Sequence, residues 1–229
     1  MNIWVIVPAA GGGRRFGGSV PKQYCDIAGK PVIQHTIERL LAIDPAGLVV
    51  AIATDDRHWP RLAAAADPRV RTVTGGAERA DSVRAALAAL AGRAAPDDVV
   101  LVHDVVRPCV TLADIRALLA AADHPGGALL AAPVSDTLKR VGEDGIVVAT
   151  EPRAGLWAAL TPQLCRYAML VAALAQAARA GREFTDEAAA LEAAGHAPLV
   201  VPGRRDNLKI TRPEDLALAA AVLASQEAE

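Results

Sequence analysis

Residues 3–23 read I-W-V-I-V-P-A-A-G-G-G-R-R-F-G-G-S-V-P-K-Q, and no other stretch constrains the fold as tightly. The run from Ile3 to Val7 is short, apolar and β-branched, as a strand buried on both faces of a parallel sheet has to be. It breaks at Pro8-Ala9-Ala10 into Gly11, Gly12 and Gly13, followed by Arg14, Arg15, a second glycine pair and Pro21-Lys22. Glycines lack side chains, so backbone N–H groups in such a turn can close on an anion. Arginine and lysine just beyond bring mobile cationic donors to phosphate oxygens. The stretch is not a P-loop, because no Gly-Lys-Ser/Thr follows at the right distance. A dinucleotide fingerprint also fails, since its last glycine would fall on Phe16. The glycines alone would suit a plain tight turn. With basic residues directly after them, they fit a loop wrapped around a triphosphate, a nucleotide site of the nucleotidyltransferase kind.

The rest of the chain alternates in the same style. Helical spacing predicts helices over 31–41, 57–66 and 81–90, a Thr111-capped helix running to Ala122, and further helices over 166–180 and 185–194. Apolar runs predict strands over 47–53, 70–73, 99–102, 127–133 and 199–201, and Pro213 is expected at the first position of a closing helix. Strands separated by ten-residue helices mean βαβ units. The fold class is therefore α/β, a Rossmann-like, mostly parallel twisted sheet flanked by helices, as one domain over 1–229. Ligands of such sheets bind beyond the carboxyl ends of the strands. Segments 8–22, 75–82 and 103–107 should therefore converge.

The rhythm breaks once. Residues 137–141 and 146–150 flank Gly142-Glu143-Asp144-Gly145, a hairpin signature with Asp-Gly at the turn. It reads as an arm over about 136–157. A lone two-stranded ribbon is barely stable in water, so the arm is expected to pack on a second subunit, with packing on its own domain as the alternative.

Charge and cysteines bound the partners. Twenty-four basic residues against 26 acidic ones give a net charge of −2, and the basic residues are scattered, so no nucleic-acid footprint is present. Three cysteines, Cys25, Cys109 and Cys165, are an odd number without metal-ligand spacing, which suits a reducing cytoplasm. Neither a signal-peptide pattern nor an apolar run of membrane-spanning length is read, so a soluble cytoplasmic protein without membrane contact is expected.

Eight ordered motifs then carry a family resemblance. They are P-A-A-G-G-G-R-R-F (8–16), P-K-Q-Y (21–24), G-K-P-V-I-Q-H-T (29–36), G-G-A-E-R-A-D-S-V (75–83), V-H-D-V-V-R-P (102–108), P-V-S-D-T-L-K-R (133–140), L-W-A-A-L-T-P-Q (156–163) and D-N-L-K-I-T-R-P-E-D (206–215). Over nearly its whole length the chain resembles the 2-C-methyl-D-erythritol 4-phosphate cytidylyltransferases, CTP-using enzymes of the non-mevalonate isoprenoid pathway. The resemblance implies that CTP and 2-C-methyl-D-erythritol 4-phosphate give 4-diphosphocytidyl-2-C-methyl-D-erythritol and pyrophosphate, with Mg²⁺. Such transfer needs positioning and charge stabilisation more than covalent help. By resemblance Arg15, Lys22 and Lys209 are catalytic. The nucleotide would meet Pro8, Ala9, Ala10, Gly11, Gly13, Arg15, Lys22, Gly76, Arg79, Ser82, Asp104 and Val105, with Ser82 as side-chain donor to the cytosine. The sugar phosphate would meet Asp104, Arg107, Thr137 and Lys209, together with Arg153 and Thr161 from a neighbouring subunit, so the site would be shared in a homodimer.

No direct protein ligand is expected for the metal, which would enter on the triphosphate, with Asp104 as the alternative contact. His103 and His35 are read as structural. Two departures stand out: Ala77 replaces an Asp often found in the family, worth on the order of 1 kcal/mol of CTP binding, and Val105-Val106 replaces the usual Ala-Ala, which points to a backbone ribose contact. No fused cyclodiphosphate synthase is expected after the closing helix. A cytidylyltransferase for another polyol phosphate, such as ribitol 5-phosphate, and a non-catalytic nucleotide-binding module of the same fold stay open as alternatives.

Overall fold

The first strand, β1 (Ile3–Pro8), lies in the middle of the protein because its β-branched side chains are buried on both faces. The computed structural model describes residues 1–11, 16–17 and 20–227. Beyond β1 come a 3₁₀ turn (Lys22–Tyr24), the small ribbon β2 (Asp26–Ile27) and β3 (Lys30–Pro31), and helix α1 (Val32–Leu41). There follow β4 (Gly47–Ile52), β5 (Val70–Thr74), α2 (Arg79–Ala89), β6 (Val99–Val102), α3 (Leu112–Leu119) and β7 (Ala128–Pro133). The arm strands are β8 (Leu138–Val141) and β9 (Val147–Glu151). The chain continues through β10 (Trp157–Arg166), α4 (Tyr167–Arg179), α5 (Glu187–Ala193), β11 (Leu199–Pro202) and α6 (Asp215–Glu227).

Seven strands form the main sheet in the order β11-β7-β10-β6-β1-β4-β5. All neighbours are parallel except those of β10, which runs antiparallel to both β6 and β7. The pleat sends alternate side chains to opposite layers. Val5, Val7, Leu48, Val50 and Leu101 pack with α1, α3 and α6 on one face. Ile6, Val49, Val100 and Val102 pack with α2, α4 and α5 on the other.

Two expectations fail in detail. Residues 57–66 form no α-helix but two 3₁₀ turns, Trp59–Arg61 and Ala63–Ala66. Pro60 has no N–H to give to a helical ladder, and Asp67-Pro68 stops the second turn before it can repeat. The sequence also hid β10, whose Pro162 argues against an interior strand. The proline is accommodated at a register shift between Ala159 and Gln163. Pro213 likewise precedes the closing helix rather than opening it. Asp215 begins that helix, its carboxylate accepting from the backbone of Thr211 (2.7 Å) and Arg212 (2.8 Å).

Thr111 caps α3 as expected, accepting from the Asp114 N–H at 3.1 Å. The hairpin is paired as expected and forms its own two-stranded sheet, with Gly145 at φ +79° in the turn. No helix among the described residues is long and apolar enough to cross a membrane.

Candidate active site

The three expected segments do converge. One cleft at the carboxyl ends of β1 and β6 is lined by Pro8, Ala9, Ala10, Gly11, Lys22 and Gln23, by Gly76 to Arg79 with Ser82, by Asp104, Val105 and Val106, and by Lys209. Two of its walls touch. A Cβ on Gly75 would stand 2.4 Å from the Ala10 Cβ and 2.7 Å from the Ser82 Oγ, and one on Gly76 would stand 2.1 Å from the Asp81 Cβ. Only glycine fits there. Ser82, read as a donor to the base, is buried, and its hydroxyl holds the turn. It accepts from the Gly76 N–H (3.2 Å) and donates to the Glu78 carbonyl (3.3 Å).

Asp104 organises the cationic end. Its Oδ1 accepts from Arg79 Nε at 2.9 Å, and its Oδ2 meets Lys209 Nζ at 2.9 Å and Arg107 Nε at 3.5 Å. Burial alone would raise its pKa, but Arg79, Lys209 and Arg107 outweigh that and hold the carboxyl well below the usual range. The far side of Arg79 is gripped by both oxygens of buried Glu187, at 2.6 and 3.0 Å. Burial opposes the charge of Arg79, yet the two carboxylates raise its pKa further. Arg107 also donates to the Asn207 carbonyl at 2.7 Å.

A polar chain fixes the backbone behind Asp104. The Asp104 N–H donates to Thr161 Oγ1 (3.1 Å), and that hydroxyl meets His103 Nδ1 at 3.0 Å. The Arg107 carbonyl can only accept, so His103 carries its proton on Nε2, 3.1 Å from that oxygen, and in the neutral ring Nδ1 accepts from the Thr161 hydroxyl. Burial pushes the pKa of His103 down to about 4, which keeps the ring neutral as this chain requires.

Lys22 stands in the same cleft as Lys209, its Nζ donating to the Ile210 carbonyl at 2.9 Å, while the Ile210 N–H donates to Val106. Gly13 and Arg15 lie outside the described residues. The Val105 carbonyl accepts from Thr36 at 2.8 Å, so one of its lone pairs is already committed. Thr161 stands behind Asp104 on its own chain. It is 4 % exposed, its hydroxyl is bonded within its own chain to His103 and Asp104, and it lines a second cavity with Arg79, Asp104, Arg107 and Lys209. Thr137 lies on the exposed arm rather than beside Asp104, and Arg153 on the same arm donates to the Ser135 carbonyl. Asp104 is a poor metal contact, because both its oxygens are taken by cations. Among the described residues no group of three His, Cys, Asp or Glu could hold a metal.

Several positioning residues escaped the sequence reading. Gln163 on β10 donates to Asp186 (3.0 Å) and accepts from the Ala188 N–H (2.8 Å), which sets the start of α5 and so the place of Glu187. Asn207 donates to the Thr161 carbonyl at 2.8 Å. Asp186 caps α5, its side chain accepting from the Ala189 N–H at 2.9 Å.

A parallel α/β sheet with a glycine-walled, lysine-lined cleft at its carboxyl edge defines a nucleotidyltransferase of the Rossmann-like class. Comparison with known proteins narrows this. Residues 3–225 match the family model for 2-C-methyl-D-erythritol 4-phosphate cytidylyltransferase, and the chain belongs to that family. It is 56% identical over 230 residues to the enzyme of that name from Chromohalobacter salexigens, covering 99% of this chain and 92% of the relative. To the Xanthomonas campestris enzyme it is 53% identical over 218 residues, covering 94% and 82%. A crystal structure of 4-diphosphocytidyl-2C-methyl-D-erythritol synthase superposes with a TM-score of 0.84 at 36% identity, covering 97% of this chain and 98% of that one. The Francisella tularensis 2-C-methyl-D-erythritol 4-phosphate cytidylyltransferase superposes at 0.82 and 33% identity, over 97% and 100%.

Proposed function

We infer that this chain transfers the CMP moiety of CTP to 2-C-methyl-D-erythritol 4-phosphate, giving 4-diphosphocytidyl-2-C-methyl-D-erythritol and pyrophosphate. The observation that carries the chemistry is the single cleft in which Lys22, Lys209 and the Asp104 cluster face the glycine walls. A phosphate oxygen of the sugar substrate attacks the α-phosphorus of CTP. A new P–O bond forms as the bond to the bridging oxygen breaks, and pyrophosphate leaves with that electron pair. Both reactants are anions, so cations have to stand between them. Arg15 and Lys22 hold the triphosphate. Lys209 and Arg107, oriented by Asp104, take the phosphate of the acceptor. Pro8, Ala9, Ala10 and Gly11 with the Gly76–Ser82 turn bound the base, where small residues leave room for a pyrimidine.

Mg²⁺ would come with the triphosphate and spread its charge, since it keeps several waters and is typically held by substrate phosphates with one or two carboxylates. The chain acts as one nucleotidyltransferase domain in a homodimer. Ile146, Val147, Val148 and Trp157 are exposed on and beside the arm, a face that a second copy would cover. Thr137 and Arg153 on that arm would then serve the neighbour's sugar-phosphate site. The three cysteines stand as free thiols, which agrees with work in the cytoplasm.

A pyrophosphate-release assay across four nucleotides, with methylerythritol phosphate and ribitol 5-phosphate in turn, tests the reaction. Turnover is expected with CTP and methylerythritol phosphate. Preference for ribitol phosphate, or inertness with CTP, overturns it.

A further inference from the structure

We propose that Gln23 is a positioning residue for the nucleotide, closing the neck of the glycine-arginine stretch with its side-chain amide. Gln23 is 4 % exposed, and its Nε2 donates to the Ala9 carbonyl at 3.0 Å and to the Gly11 carbonyl at 3.4 Å. The main-chain ladder of β1 ends where the Ala9 N–H donates to Ala51 (2.7 Å). From there the backbone is steered by a side chain more than ten residues downstream. The residues between Gly11 and Gln23 include Arg15 and Lys22, so one amide ties together the two ends of the stretch that carries both cations.

The clasp also sets a direction. In a trans peptide plane the carbonyl of one residue and the N–H of the next point opposite ways. Holding the Ala9 carbonyl on Gln23 therefore turns the Ala10 N–H away from Gln23, at a residue that lines the cleft and touches the Gly75 wall. The clasp is rigid on its own side. The 3₁₀ turn that bears Gln23 is held by the Tyr24 hydroxyl on Asp56 (2.5 Å), by the stacking of Tyr24 on His58 at 4.8 Å, and by Lys22 on Ile210 (2.9 Å). With the Ala9 and Gly11 carbonyls held on a fixed post, part of the cost of ordering that wall of the cleft is met before CTP arrives.

The proposal rests on the nucleotide reading of this cleft. Its test compares Gln23→Leu and Gln23→Glu with the parent enzyme, measuring KM for each substrate, kcat and Tm. Loss of the donors in Gln23→Leu should raise KM for CTP by about tenfold while KM for the polyol phosphate stays within about twofold. Gln23→Glu keeps size and shape but sets a carboxylate against two carbonyl oxygens. Burial raises its pKa, and only its protonated form can donate. Its deficit relative to the parent should therefore shrink as pH is lowered from about 8.5 to about 6. A residue that only fills the core would lower Tm and affect both substrates alike, and that result refutes the proposal. Should Gln23→Leu fail to fold, the split between the two KM values in Gln23→Glu decides. A parent enzyme inert with CTP would sink the nucleotide reading, whereas an active parent with unaltered variants sinks the clasp alone.

Discussion

Glu187→Gln probes the support beneath the active carboxylate. Glu187 is 3 % exposed, and its two oxygens accept from Arg79 Nη1 and Nη2, while Arg79 Nε reaches Asp104. The amide keeps the shape, retains one acceptor, and turns its NH₂ toward a guanidinium N–H. One charge-assisted hydrogen bond is lost, worth about 1.5–3 kcal/mol, with a donor facing a donor in its place. Removing the partner altogether in Glu187→Ala leaves Arg79 short of a buried counter-charge, at about 3–5 kcal/mol. In a chain of this size each kcal/mol moves Tm by roughly 2–4 °C, so the Gln variant should melt roughly 3–12 °C lower and the Ala variant lower still. Because Arg79 is one of three cations on Asp104, its loosening should also raise KM for CTP. Thermal unfolding followed by circular dichroism, with steady-state pyrophosphate release on the same samples, checks both effects. A Tm within a degree of the parent together with unchanged kinetics would show that the Arg79–Glu187 pair carries neither load.

Lys22→Ala should lower kcat by about 10²–10³-fold with the fold retained by circular dichroism; near-normal turnover refutes its assignment to the triphosphate. His103 binds its proton at about pH 4 when folded against about 6.5 when unfolded. The unfolded chain therefore takes up the proton first, and stability falls as pH drops from about 6.5 to 4, by about 3 kcal/mol in all. Urea unfolding at stepped pH should show this slope, and His103→Gln should flatten it; equal slopes would count against the buried neutral ring. Ile146→Asp with Val148→Asp should yield a monomer by light scattering with lowered activity, and a fully active dimer would move the subunit contact elsewhere. In mixed dimers, Arg153→Ala and Lys22→Ala chains should restore part of the activity each lacks alone; no rescue in verified heterodimers argues for a self-contained site.

Where local chemistry decides the structure, the chain could be read directly. The β-branched run at 3–7, the Gly75-Gly76 turn, the Thr111 cap and the Asp144-Gly145 hairpin each act over a few residues, and each appears where its residues place it. Alternation of strand and helix then forced three loops to one edge of a parallel sheet. That is why Lys22 and Asp104, far apart in the sequence, were expected to share a cleft and do so, and Lys209, expected there by family resemblance, lines it with them.

What the letters alone could not decide is how polar side chains pair across the fold. Pro162 hid β10 until the sheet offered it a register shift. Nothing around Thr161 announced that its hydroxyl links Asp104 to His103. Glu187, Gln163 and Gln23 carry no periodic signal, because a partner 12 to 108 residues away leaves no mark on the residues around it. Sequence by itself determined the parallel strands, the glycine walls and the place of Lys22 at their edge, all consequences of short-range sterics and hydrophobic period. Tertiary structure alone decided which carboxylate each cation meets, since a buried charge has to be partnered by whatever the packed layers bring within about 3 Å of it.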